Sequence, residues 1–286
     1  MVALIFLYIF GVNKNKMIRH LLEPHISERF ANDPHYRDGH LRVINAMPCR
    51  EVLGLHIPDI KKIAKQISKQ GCEIIEQCGT HHISNCGAEI IRHFETEADE
   101  SLCYEETLVW GFLINSIDAP LHTRLEMLEK YIPILDNWAV CDSFCSDAKW
   151  MKQADKEILW QWIEKWFKSN REFEVRFAIV ASMSYFINEE WSERVFKKID
   201  RIDFDAIKSE YKTVKSKPQT AQEGTVQGAE PYYVRMGVAW LLATALAKYP
   251  ERTREFIRTT HLPQNVIKLY IRKARESFKT RNLEVV

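Results

Sequence analysis

The chain has 286 residues, 46% of them hydrophobic and 28% charged, and a formal net charge of +1. That length suits one large domain or two ordinary ones with a sizeable core, and the near-neutral balance excludes a uniformly basic or acidic protein while leaving room for a local patch. Only 10 glycines and 10 prolines, with few stretches of strict polar/apolar alternation, exclude a sheet-rich design and favour an all-helical protein.

Residues 1–10 are strongly apolar but too short to span a bilayer, have no basic residue before them and are followed by no clean cleavage site. Residues 1–16 are therefore set apart as an N-terminal extension, and residues 17–286 are expected to form a single domain. From Met17 the pattern is a succession of amphipathic, helix-length segments. Ile18, Leu21, Leu22 and Ile26 carry the first, which Asn32-Asp33-Pro34 should end, because a proline disfavours helix at the residue before it. A short segment at 40–46 follows. Gly54 then turns the chain into a helix with Pro58 near its start and an apolar stripe of Ile60, Ile63, Ala64 and Ile67.

Segments at 72–78 and 88–94 are weaker. Residues 104–114 are apolar almost all round, as in a buried helix. Leu121, Leu125, Leu128 and Ile132 form a clean stripe leading through Pro133 to Asp136-Asn137-Trp138-Ala139-Val140-Cys141-Asp142. Asn137 or Asp136 is a good N-cap, which puts Trp138 in the first turn and Asp142 one turn later on the same face. An indole and a carboxylate are thereby presented side by side, although the spacing alone better suits a core tryptophan and a solvated acid favoured by the helix dipole.

Trp162 and Trp166 lie at i, i+4, a spacing that suits a staple between helices better than a base-stacking platform. Residues 174–187 are nearly continuously apolar but for Arg176, which must pair, snorkel or face a ligand, and Glu172 at i−4 offers a pair. Helices at 191–199 and 204–214 should precede a long loop at 215–230, rich in Gln, Gly, Ser, Thr and Lys, after which Pro231 restarts a helix. There Trp240 lies over Met236 and Gly237, with Ala243 and Thr244 on the next turn. A large ring beside small side chains fills a core gap or lines a cleft. Two last helices are expected at 252–258 and 263–278, and the last stretch of the chain is distinctly basic, with Arg235, Arg252, Arg254, Arg258, Lys268, Arg272, Lys273, Arg275, Lys279 and Arg281, while acids gather at 95–106. One end of the molecule is thus suited to an anion.

The seven cysteines are odd in number and lack secreted-scaffold spacing, so reduced thiols in the cytoplasm are expected. Cys78, His81, His82 and Cys86, and Cys141 with Cys145, resemble ligand sets but lack a second pair at zinc spacing, so neither metal nor cofactor is expected. Roughly a dozen helices joined by short turns suggest an α-solenoid of antiparallel pairs, without a repeat similar enough to prove it.

Four pieces in order, Gly54-Leu55-His56-Ile57-Pro58-Asp59-Ile60, Asn137-Trp138-Ala139-Val140-Cys141-Asp142-Ser143, Val175-Arg176-Phe177-Ala178-Ile179 and Tyr232-Tyr233-Val234-Arg235-Met236-Gly237-Val238-Ala239-Trp240, together with Ile271-Arg272-Lys273-Ala274-Arg275-Glu276-Ser277, resemble the DNA alkylation repair enzyme family, the AlkD-type HEAT-like repeat DNA glycosylases. The resemblance runs from about Tyr36 to the C-terminus. It implies an all-α right-handed superhelix of HEAT-like helix pairs, a monomer that binds double-stranded DNA containing alkylated bases and does not engage a membrane. It further implies hydrolytic release of cationic 3-methyladenine or 7-methylguanine, with Asp142 as the catalytic carboxylate, Trp138 and Trp240 as the aromatic groups that hold the deoxyribose, and Arg176 as a phosphate contact. Arg235 is placed with the DNA-binding residues because it belongs to the same basic surface. Two other uses fit the pattern, a non-catalytic module for distorted or branched DNA, and a helical-repeat scaffold for protein partners.

Overall fold

The computed structural model describes residues 17–46, 50–77, 102–209 and 230–286. Every regular element longer than a single bridge among them is helical, with thirteen α-helices linked by short turns and 3₁₀ segments. The extension at 1–16, the Cys78, His81, His82 and Cys86 group, the segment at 88–94 and most of the 215–230 loop lie outside the described residues. The chain divides into two compact units at the Trp150/Met151 boundary.

The first unit contains α1 (Met17–Leu22), α2 (Glu28–Asn32), α3 (Pro34–Ile44), α4 (Ile57–Gln77), α5 (Tyr104–Ser116), α6 (Leu121–Tyr131) and α7 (Trp138–Asp147). The expected continuous first helix is broken, because Pro24 turns the chain into a 3₁₀ segment and Ser27 re-caps it by accepting a hydrogen bond from the Phe30 N–H. Pro34 ends α2 and also opens α3, where Asp33 caps the helix through the Tyr36 N–H and proline's fixed φ suits the first turn. The segment expected at 40–46 is the end of this helix, which Asn45 terminates in a left-handed conformation at φ 52°.

α4 buries the stripe of Ile60, Ile63, Ala64 and Ile67 against α5, which is itself buried along 104–114 as its composition requires. α5 also packs on α6 and α7, with Tyr131 meeting Trp110 edge to face and Phe144 at a tilt. The link into α4 is fixed electrostatically. The buried Glu105 carboxylate accepts the N–H groups of Leu53, Gly54 and Leu55 at 2.9, 2.8 and 3.2 Å.

The second unit contains α8 (Lys156–Glu164), α9 (Glu172–Tyr185), α10 (Ser192–Ile199), α11 (Tyr232–Lys248), α12 (Pro250–Thr259) and α13 (Gln264–Glu276). α11 lies against both α9 and α13, and α8 packs on α9. Trp162 and Trp166 meet each other and Phe177 edge to face at 5.8, 5.9 and 6.5 Å, so the tryptophans do staple α8 to α9. The helix expected from residue 204 is not formed over 204–209. These residues make a turn fixed by Asp203, whose side chain accepts from the Asp205 and Ala206 N–H groups, and Lys208 then forms a lone bridge with Arg171.

Among the described glycines, Gly54 is the one that least tolerates a side chain. Its φ is +90°, and a Cβ would lie 2.1 Å from the Phe30 ring. Gly54→Ala should therefore lower stability by about 2–4 kcal/mol, from positive-φ strain added to overpacking, read as an earlier denaturation midpoint.

Candidate active site

The site begins at the amino end of α7. Asn137 is fully buried and caps the helix, its Oδ1 accepting from the Ala139 N–H at 2.7 Å while its Nδ2 donates to the Ile44 carbonyl at 2.7 Å. One residue earlier, Asp136 pairs with Arg50 at 2.8 Å, and Arg50 also donates to the Leu102 carbonyl at 2.7 Å. Trp138 is half-buried, and its indole N–H donates to the Val43 carbonyl at 3.1 Å.

Asp142 follows one turn later on the same helix face and is also half-buried. Between them Ala139, Val140 and Cys141 are buried, as are Phe144 and Cys145 on the next turn. Cys141 and Cys145 are therefore small apolar fillers of the core, and no group of three or more potential metal ligands occurs among the described residues. At the other end of α7, Asn115 donates to the Phe144 carbonyl at 3.1 Å and Lys61 pairs with Asp147 at 2.9 Å. Both ends of the helix are thus tied to the helices beside it.

The other three residues belong to the second unit. Arg176, on α9, is 5% exposed; its Nη1 donates to the Tyr233 carbonyl at 2.6 Å, and its guanidinium lies 5.8 Å from the Tyr233 ring. Glu172, one turn earlier, is equally buried and accepts from the Tyr233 N–H at 2.6 Å and the Ser209 hydroxyl at 2.5 Å. Burial pushes the Glu172 carboxyl above the usual range, against the pull of those donors and of the Arg176 charge. The pairing with Glu172 open to Arg176 from the sequence is thus present as an electrostatic attraction, to which the structure adds the Tyr233 carbonyl.

Arg235, on α11, is 9% exposed and pairs with Glu230, while its Nε is buried without a hydrogen-bond partner. Trp240, two turns beyond Tyr233 on α11, is 40% exposed, which decides for a surface position rather than a core gap. Beside it, Met236 is touched by Arg272 of α13 through a weak N–H···S contact at 3.9 Å. Lys268, Arg272 and Arg275 are all exposed at i, i+4, i+7 spacing and make one basic ridge along α13.

The model of the DNA alkylation repair enzyme family matches residues 43–206, more than half of the chain. The chain belongs to that family. The matched segment contains the whole of α7 and α9, hence Trp138, Asp142 and Arg176, and stops before α11 with Arg235 and Trp240. No curated protein and no solved structure matches the chain. Membership supports a role in DNA alkylation repair, with DNA as the substrate, and no helix among the described residues is long and apolar enough to cross a membrane.

Sequence reasoning missed the second bond of Asn137 and the Val43 carbonyl beneath Trp138. The partners lie more than ninety residues apart, and an N-cap signal says nothing of what else the amide holds.

Burial makes the two polar-faced positions of the second unit respond differently to truncation. Arg176→Ala removes a buried charge-assisted bond to the Tyr233 carbonyl and the counter-charge of Glu172 and should cost roughly 2–4 kcal/mol, whereas Trp240→Ala should cost about 1 kcal/mol or less. Thermal melting of the two variants side by side checks the order; equal destabilisation would place Trp240 in the core.

Proposed function

We propose that this repair-family protein is a DNA glycosylase that hydrolyses the N-glycosidic bond of cationic alkylated purines, 3-methyladenine and 7-methylguanine, in duplex DNA. The observation that carries the reading is the pairing of Trp138 and Asp142 on one solvent-reached face of a helix anchored at both ends, inside the segment that matches the family.

The chemistry asks little of the protein. A purine alkylated at N3 or N7 already carries positive charge, so it leaves without a general acid. What remains is to stabilise the oxocarbenium-like sugar and to orient a water, and a carboxylate near the anomeric carbon does both. Asp142 is assigned that role, with Trp138 holding the deoxyribose by its ring face; Trp240, on α11, is assigned an aromatic contact with the DNA. A neutral purine is a poor leaving group, so selectivity arises without a tight base-reading pocket.

On this reading the exposed ridge of Lys268, Arg272 and Arg275 contacts phosphates, while Arg176 on α9 and Arg235 on the Trp240 helix itself add fixed positive charge. A HEAT-like right-handed superhelix acting as a monomer, with residues 17–286 as one functional domain, is the architecture we attach to it. The all-helical fold is compatible with that arrangement.

Asp142→Asn keeps the shape and removes the charge. Single-turnover release of 7-methylguanine from a defined duplex should fall on the order of 10²-fold or more, with melting temperature and affinity for undamaged duplex nearly unchanged. Release at the parental rate would sink the catalytic assignment, and no release by either protein would favour a module that binds distorted DNA without chemistry. Replacing Lys268, Arg272 and Arg275 by alanine should flatten the dependence of log affinity on log salt by about one unit for each phosphate that is no longer neutralised. An unchanged slope would return the ridge to plain solvated charge.

A further inference from the structure

The four last carbonyls of any α-helix lack partners within the helix. At the end of α3, two of them are taken by the side chains of consecutive residues at the start of α7: Val43 O by the Trp138 indole and Ile44 O by the Asn137 amide. The last turn itself closes with the Asn45 N–H donating to Leu41 O at 2.8 Å. The carboxyl end of one helix is thus fastened to the amino end of the helix that carries Asp142.

Asn137 is the centre of this fastening. Its Oδ1 can only accept and its Nδ2 only donate, and each faces the group of opposite kind, so the orientation of the amide is fixed by its partners. A serine or aspartate side chain in its place would satisfy the cap but has no donor that reaches Ile44 O. A fully buried amide that spans two helices is more than an N-cap needs. Its consequence falls on Trp138, because the Val43 carbonyl that receives the indole N–H belongs to the residue beside Ile44. Without a fixed acceptor, a half-exposed indole samples several staggered rotamers; with one, a single rotamer is selected.

We propose that Asn137 is a positioning residue for Trp138: by holding the Val43–Ile44 carbonyls against the first turn of α7, it sets the direction in which the indole face lies beside Asp142. This rests on the glycosylase reading for its effect on chemistry, but the positioning itself does not. Reacting groups displaced by about 1 Å can lose on the order of 10²-fold in rate, so loss of this register acts on the chemical step and spares general DNA affinity.

The test uses Asn137→Ser, which keeps a capping acceptor and loses the donor, with Asn137→Asp as a second variant should the serine protein not fold. The Trp138 indole N–H resonance, assigned with Trp138→Phe, should shift and its solvent exchange should quicken roughly tenfold or more, while the other indoles stay in place. Excision in single turnover should fall roughly tenfold with undamaged-duplex affinity kept within about twofold, and the substitution should have no further effect in a Trp138→Ala background, as expected of two residues that act as one unit. An unmoved indole resonance overturns the proposal, as does an equal slowing in both backgrounds, which would make Asn137 a general stabiliser. If the parent releases no base and the indole still moves, the positioning stands and the glycosylase reading falls.

Discussion

In each unit, a buried glutamate in the first turn of a long apolar helix collects backbone donors from a neighbouring segment, and in the second unit the placement of the helix that bears Trp240 depends on it. Glu105 takes three successive N–H groups ahead of α4, and Glu172 takes the Tyr233 N–H at the start of α11 together with the Ser209 hydroxyl. Burial raises both carboxyls above their ordinary range, and the hydrogen bonds pull the other way. An isolated buried carboxylate would be too costly to keep, whereas one that accepts several main-chain donors offsets its desolvation and fixes those donors in one geometry.

The consequence is clearest at Tyr233, whose peptide groups are gripped from both sides by α9. Glu172 accepts its N–H, and Arg176, one turn further along, donates to its carbonyl. α11 therefore cannot slide or rotate on α9 without breaking a charge-assisted bond. Trp240 lies two turns beyond Tyr233 on the same helix and inherits that register. Gly237 serves the same packing, since a side chain there would crowd Ile179 and approach the Arg176 guanidinium. In the first unit the corresponding fixation is made at the helix end, by Asn137 and Asp136, and it is Trp138 that inherits it.

What could be read from the sequence was periodic or local. The α4 stripe, the all-round apolar α5, the Asn137 cap and the restart at Pro231 follow from spacing and from single-residue preferences, and each lies where expected. The break at Pro24 and the opening of α3 at Pro34 were legible in principle, since Ser27 and Asp33 are good caps placed just before a helix start. The turn at 204–209 was not, because Phe204 and Ile207 mimic a helical stripe while Asp203 captures the backbone locally. At the site, a spacing of four put Trp138 and Asp142 on one face. The exposure of Trp240 and the burial of Arg176 are tertiary facts that no local pattern encodes.

That burial divides the basic residues into two classes with different physics. Arg176 and Arg235 are enclosed, with counter-charges from Glu172 and Glu230, so their fields are weakly screened by salt but their donors are partly committed to the protein. Lys268, Arg272 and Arg275 stand in solvent, Arg272 in an exposed pair with Glu276 at 3.6 Å, and there a phosphate can displace water and counterions. An enzyme acting on rare lesions within long stretches of ordinary duplex needs both classes. Exposed cations give affinity that is independent of sequence and is readily given up as the protein moves along. Enclosed ones hold the helix bearing Trp240 in a fixed geometry, and under the proposed glycosylase chemistry discrimination rests on whether the base can leave as a cation rather than on how tightly the duplex is held.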